Sequence, residues 1–314
     1  MSSYERGLVE VGDGLYAYLQ PDGGWGWSNA GLVVDGDSTL LIDTLFDLKL
    51  TEEMLREMRG AVKAAARIDT LVNTHANGDH CYGNALVGDA RIVASDRTAV
   101  EMRELPPAAM AALVAQAPQM GELGRFFLRC FGAFDFAGIE LVEPSETFAG
   151  ELSLRVGERE LRLIEVGPAH TRGDTLVHVP TERVLFTGDI LFSGAHPIAW
   201  AGPVSNWIEA CERILALDPQ VVVPGHGPVS DTAHVRELKE YFEYLYAAAR
   251  CCHDEGMTPL QAARSISIDR WAEWGERERL VVNVANIYAE LDGENQPLDP
   301  LAAFQQMAEL AASS

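Results

Sequence analysis

The sequence predicts an α/β fold with two β-layers and helices on their outer faces. Three observations lead there. Short apolar runs rich in Val, Ile and Leu recur in both halves of the chain. Each series of runs is followed by a stretch with helical spacing, so the halves share one scheme. The 314 residues, 47% of them hydrophobic, suffice for one large α/β domain or two small ones with a full core.

In order, residues 9–11 and 15–19 read as strands around the Gly12-Asp13-Gly14 turn. Residues 30–34 and 39–43 form a hairpin around Asp35-Gly36-Asp37. Residues 48–66 read as a helix capped by Thr51, with Met54, Leu55 and Met58 on its apolar face. Strands at 68–72 and 91–94 follow. Residues 97–137 change character, with Ala, Met, Leu and Phe broken by Pro106-Pro107 and Pro118, and predict two or three inserted helices. Strands return at 152–156, 161–166, 175–179 and 184–186, then a helix at 204–217 and a buried strand at 221–223. From Thr232 onward the pattern is helical and includes the segment 279–291; the aromatic stretch 241–246 is read as core or as the contact of a homo-oligomer.

The net charge is −23, with Lys+Arg 24 against Asp+Glu 47. A surface so acidic repels phosphate backbones and anionic headgroups, which disfavours nucleic-acid and membrane partners. No basic segment precedes an apolar one at the N-terminus, and no apolar run approaches the ~20 residues a membrane helix needs. Five cysteines, an odd number, lack any C-x-x-C pair; the expectation is reduced thiols in a cytoplasm and no cysteine-ligated zinc.

The chemistry concentrates in Asn73-Thr74-His75-Ala76-Asn77-Gly78-Asp79-His80, which follows the apolar run 68–72. Three more candidates stand at strand ends: His170 in Gly-Pro-Ala-His-Thr, Asp189 in Thr-Gly-Asp and His226 in Pro-Gly-His-Gly. Imidazole and carboxylate suit borderline metals such as zinc, and two adjacent ions need about this many ligands. Neighbouring glycine and proline allow the backbone to turn sharply beside an ion.

Taken together these motifs resemble the metallo-β-lactamase superfamily, whose pattern is His-x-His-x-Asp-His, then a histidine in Gly-His-Thr, a bridging aspartate in Gly-Asp and a histidine in Gly-His-Gly. The resemblance runs from about residue 8 to 230. It implies a four-layer αβ/βα sandwich. Residues 1–235 would form the catalytic domain, with 97–137 inserted and 236–314 a helical C-terminal extension packed on the same domain. It further implies one metal site of His75, Asn77 and His170, a second of Asp79, His80 and His226, and Asp189 shared between them. Asp43 would stand behind the ligands. Asp79 would be catalytic, orienting the attacking hydroxide and carrying its proton. The chain departs from the family at Asn77, where the second motif histidine belongs. An amide oxygen is a feeble donor to a borderline metal, so the first site should bind more loosely or take a harder ion such as manganese or iron.

The cofactor expected is zinc, one ion or two, which lowers the pKa of water from ~15.7 to near 7. No nucleophilic side chain is required, and a Gly-x-Ser-x-Gly elbow is absent. Trp25, Trp27, His196 and Trp200 are read as substrate contacts, with a core role as the alternative for Trp25 and Trp27 and a solvated or capping loop position as the alternative for His196. His178 is read as strand packing, and Cys81 as a small buried apolar residue. The function expected is hydrolysis of an ester, thioester or lactone on a small-molecule or carrier-bound acyl substrate. Three alternatives stand beside it. One is a cyclase or thioesterase for carrier-bound polyketides, docked through Arg97, Arg103, Arg125 and Arg129. Another is an iron thiol dioxygenase using His75, His170 and Asp189 as a facial triad. The last is a binding module that has lost its metal.

Overall fold

The protein is described from a computed structural model over residues 4–294 and 299–312. Two mixed sheets face each other. The first holds seven strands in sequence order: β1 (Gly7–Gly12), β2 (Leu15–Leu19), β3 (Ala30–Asp35), β4 (Ser38–Ile42), β5 (Thr70–Val72), β6 (Arg91–Ser95) and β7 (Glu146–Phe148). The second holds β8 (Glu151–Val156), β9 (Arg159–Glu165), β10 (Thr175–Val179), β11 (Val184–Phe186) and β12 (Val221–Val223), again as consecutive neighbours. β1 to β4 pair antiparallel and β4 to β7 parallel. In the second sheet only the β11–β12 pair is parallel.

Strand alternation explains the layering. Leu15, Ala17, Leu40 and Ile42 of the first sheet meet Leu161, Leu163, Val177 and Val179 of the second in one apolar layer. The intervening residues, among them Leu32, Leu41, Leu176 and Leu185, join the other core, under the helices. A period of two thus buries both faces of each sheet, as a sandwich clad in helices requires.

Helix α1 (Leu48–Ala61) lies along β1: Glu57 accepts from Leu8 N at 2.8 Å and Glu53 pairs with Arg6 at 3.0 Å. Its buried face is Leu50, Met54, Leu55 and Met58, one helical stripe. The cap is Asp47, which accepts from Leu50 N at 2.7 Å, and not Thr51. Thr51 is buried one turn further in and bonds the Asp47 carbonyl and Leu45 N. The helix stops at an extended Val62, and Lys63–Ala66 form a separate 3-10 turn. The short α2 (Gly78–Cys81) follows β5.

The insertion forms three helices, α3 (Asp96–Glu101), α4 (Pro107–Gln116) and α5 (Gly121–Phe131). α6 (Val204–Leu217) covers the second sheet, with Trp207 Nε1 donating to the Ile190 carbonyl. α7 (Thr232–Asp254), α8 (Pro259–Ser265), α9 (Leu280–Leu291) and α10 (Pro300–Ala311) complete the chain. Tyr241, Phe242 and Leu245 of α7 are core residues, and the Phe242 ring lies 4.8 Å from Trp207. α10 returns to the insertion, placing Phe304 against Phe126, Phe127 and Phe131 of α5. All five cysteines are free, and no helix among the described residues is long and apolar enough to cross a membrane.

Candidate metal centre

The loops that leave β4, β5, β11 and β12 open on one edge of the sandwich, at the carboxyl ends of strands, where open α/β sheets gather ligands. β4 hands over to Asp43, a non-glycine residue in the left-handed region (φ 61°). Its carboxylate accepts from Thr74 N and Thr74 Oγ1, both at 2.7 Å, and from His80 Nδ1 at 2.9 Å. β5 leads to His75, and α2 presents Asp79 and His80. Asp189 follows β11 and His226 follows β12. Gly225 is needed between them, since a Cβ there would lie 1.9 Å from Asp189 Oδ1.

Six side chains converge. Asp189 Oδ2 lies 3.8 Å from His75 Nε2, 3.3 Å from His170 Nε2 and 3.4 Å from His226 Nε2. Its Oδ1 lies 3.1 Å from His80 Nε2. Asp79 Oδ2 stands 3.3 Å from His226 Nε2 and 3.9 Å from His80 Nε2. None of the six is more than 8% exposed, and Asp79 is the most accessible. They form two groups able to hold a cation, His75–His170–Asp189 and Asp79–His80–His226; Asp43, His75 and His80 make a third, overlapping set.

Every histidine is fixed from behind. His80 Nδ1 donates to Asp43, His170 Nδ1 to the Ile198 carbonyl at 2.7 Å and His226 Nδ1 to the Gly23 carbonyl at 3.1 Å. Thr74 Oγ1 gives its proton to Asp43 and therefore accepts from His75 Nδ1 at 2.9 Å. All four Nε2 atoms thus face the centre. Those of His75 and His80, with Asp189 Oδ1, are buried without a hydrogen-bond partner. Buried polar atoms are rarely left so. Nitrogen and carboxylate donors aimed at one point, with their outer nitrogens bonded, fit a borderline divalent cation.

The electrostatics agree. Burial pushes the His75 imidazole well below its usual range and takes His170 down to about 4 against the pull of Asp189. Burial acts on His226 too, but Asp189 and Asp79 overcome it and raise that imidazole to about 9. His80 is raised well above its usual value despite burial, by Asp189, Asp79 and Asp43. Burial disfavours the charged form of Asp189, yet the four imidazoles hold its carboxyl well below the ordinary range. The carboxylates Asp79 and Asp189 and the raised imidazoles of His80 and His226 thus stabilise one another's charge in the buried pocket.

Asn77 is half-buried at the rim, with Nδ2 2.9 Å from His170 Nε2. Because His170 Nδ1 donates to a carbonyl, Nε2 is the acceptor and the Asn77 amide donates into it. Trp25 and Trp200 come together beside the site, with ring centroids 6.4 Å apart and both against Phe304. Trp200 N also donates to the His170 carbonyl at 3.0 Å. Trp27 packs on Phe134 at 4.9 Å. His196 is placed differently from the sequence reading. It is fully buried, with Nδ1 on Tyr241 Oη at 3.1 Å and its ring against Trp274, so it belongs to the core and not to a substrate-facing loop. His178 is buried in β10 as expected. Cys81 is buried, which pushes its thiol well above the usual value. The sequence reading missed the contribution of the C-terminal extension: Glu278, which accepts from Trp25 Nε1; Arg279, whose guanidinium lies 4.2 Å over the Trp25 ring; and Asn283 and Asn286. Two buried asparagines three residues apart on an apolar helix were the available signal.

A family model described as the metallo-beta-lactamase superfamily matches residues 23–226. The chain is 24% identical to the acyl-coenzyme A thioesterase MBLAC2 of Bos taurus over 264 residues, covering 77% of this chain and 86% of that protein. It is also 24% identical over 271 residues to the 2,4-dinitroanisole O-demethylase subunit alpha of Nocardioides sp. (strain JS1661), covering 81% and 72%. Among solved structures, the stereoselective inverting sec-alkylsulfatase Pisa1 of Pseudomonas sp. superposes with a TM-score of 0.68 at 17% identity, over 94% of this chain and 52% of that one, which speaks for the fold alone. With the family match spanning most of the chain, the protein belongs to the metallo-beta-lactamase superfamily and is a hydrolase of that family.

Proposed function

We propose that the protein hydrolyses an acyl bond, with a thioester as the first choice of substrate, at a centre of one or two zinc ions. The observation that carries this reading is the inward convergence of four imidazole Nε2 atoms and two carboxylates, three of the inward atoms lacking any other partner. His75, His170 and Asp189 would hold one ion, with Asn77 at its edge; Asp79, His80 and His226 would hold the other. A bound zinc supplies Lewis acidity and brings the pKa of water to near 7. The remaining work falls to this chain. Asp79, the most accessible of the six, orients the water and holds its proton on a carboxylate oxygen. Asp43 keeps His80 in position, and through Thr74 Oγ1 it does the same for His75. Trp25 and Trp200 offer apolar surface beside the site to the acyl group. Cys81 is buried, and burial disfavours the thiolate that a covalent route through it would need.

The thioester preference draws on the relative named an acyl-coenzyme A thioesterase. Against a carrier-bound substrate stand the four arginines of the insertion. Each already has a carboxylate within reach: Arg97 with Glu165, Arg103 with Glu143, Arg125 with Glu122 and Arg129 with Glu278. An acidic carrier would have to displace all four. The test is a panel of acyl thioesters, lactones and β-lactams assayed before and after chelation. Thioester turnover that disappears with the chelator and returns with zinc supports the reading. Equal turnover in the metal-stripped protein would sink it.

A further inference from the structure

Helix α9 lies beyond the segment that matches the family, yet it grips the chain that orients a candidate ligand. Asn283 is fully buried. Its Oδ1 accepts from Ala199 N at 2.8 Å and its Nδ2 donates to the Pro197 carbonyl at 2.8 Å. The residue between those two is Ile198, whose carbonyl accepts from His170 Nδ1 at 2.7 Å. One turn on, Asn286 Nδ2 donates to the Ala199 carbonyl at 3.4 Å. The side-chain amide of Asn283 clamps the strap 197–199 from both sides, as a paired strand would.

We propose that Asn283 is a positioning residue for the metal centre, acting on His170 through the Ile198 carbonyl. The Ile198 carbonyl can only accept, so it fixes His170 as the tautomer with hydrogen on Nδ1 and leaves the Nε2 lone pair facing the centre. If the clamp is released, that carbonyl is held less firmly, and the Asn77 amide at Nε2 is left to favour that tautomer without it. The metal-binding half of this inference rests on the function proposed above; the tautomer half does not.

The test uses Asn283→Leu, which removes both bonds at similar volume, and Asn283→Asp, which keeps the acceptor and loses the donor. Met307→Ala, a cavity in α10 at a fully buried position, serves as a control for general loosening of the extension. Long-range proton–nitrogen spectra of histidine rings in the metal-stripped protein report the tautomer directly. The expected result is loss of the single Nδ1-protonated form at His170 in both Asn283 variants, while His80, held by Asp43, is unchanged. Zinc affinity from chelator competition should fall about 10–100-fold at one step and stay within about twofold at the other. Met307→Ala should lower the melting temperature and leave the tautomer and both steps alone. If Asn283→Leu does not fold, Asn283→Asp carries both readouts. An unchanged His170 tautomer, or two affinities that fall together by the same factor, overturns the proposal. A wild-type chain that takes up no zinc overturns the metal reading, and the tautomer spectra still decide for or against Asn283.

Discussion

The two halves of the centre are built alike in front and differently behind. In the Asp79–His80–His226 group, His80 is backed by a carboxylate, Asp43, itself fixed by two donors from Thr74. In the His75–His170–Asp189 group, His75 rests on a hydroxyl and His170 on a backbone carbonyl that α9 holds from outside the matched segment. A carboxylate partner raises the basicity of an imidazole ligand more than a neutral acceptor does. Asn77 adds to the contrast, because its amide occupies the His170 lone pair in place of a further imidazole. On the function proposed above, the Asp43-backed half would hold a cation tightly, and the other would accept one only after Asn77 turns aside.

The comparison breaks most visibly at Asp79. Asp79→Ala should lower kcat about 10²–10⁴-fold, because the tight half loses a ligand and the water loses its proton acceptor; steady-state hydrolysis above a tenth of wild type would contradict that role. Next in size is Asp43→Asn. It should weaken the tight step about 10–100-fold, with a smaller effect on the loose one relayed through Thr74, and equal losses at both steps would mean that Asp43 does not distinguish the halves. Asn77→His sharpens the contrast from the other side. The loose step should tighten about tenfold or more as imidazole replaces amide, read by the same chelator competition; an unchanged affinity would refute the weak-half account. Cys81→Ala should be nearly silent, with activity within about twofold of wild type and no protection against thiol reagents lost, since its buried thiol is inert.

Much of this was legible in the sequence for a physical reason. The ligands cluster at short spacing or sit beside glycine at strand ends, and those strands are apolar on both faces. β2, β10, β11, α6 and β12 begin and end where apolar periodicity places them. β7 was missed because only Phe148 of its three residues is apolar and buried, so it lacks the unbroken apolar run that marks the equally short β11 and β12. The cap of α1 was misplaced because Asp47 lies outside the apolar repeat that drew attention to Thr51. His196 misled for another reason: seven residues from Asp189 along the chain is close in sequence, but the strap turns inward and buries the ring on Tyr241. Asn283 and the Gly23 and Ile198 carbonyls act through tertiary contacts, and a carbonyl carries no residue signature at all.

Calorimetric titration of the metal-stripped chain with zinc tests the central claim most directly. Two unequal binding steps are expected, the tighter abolished by Asp79→Ala and the looser strengthened by Asn77→His. Binding that is absent, or two steps of equal affinity that neither substitution separates, would contradict the account.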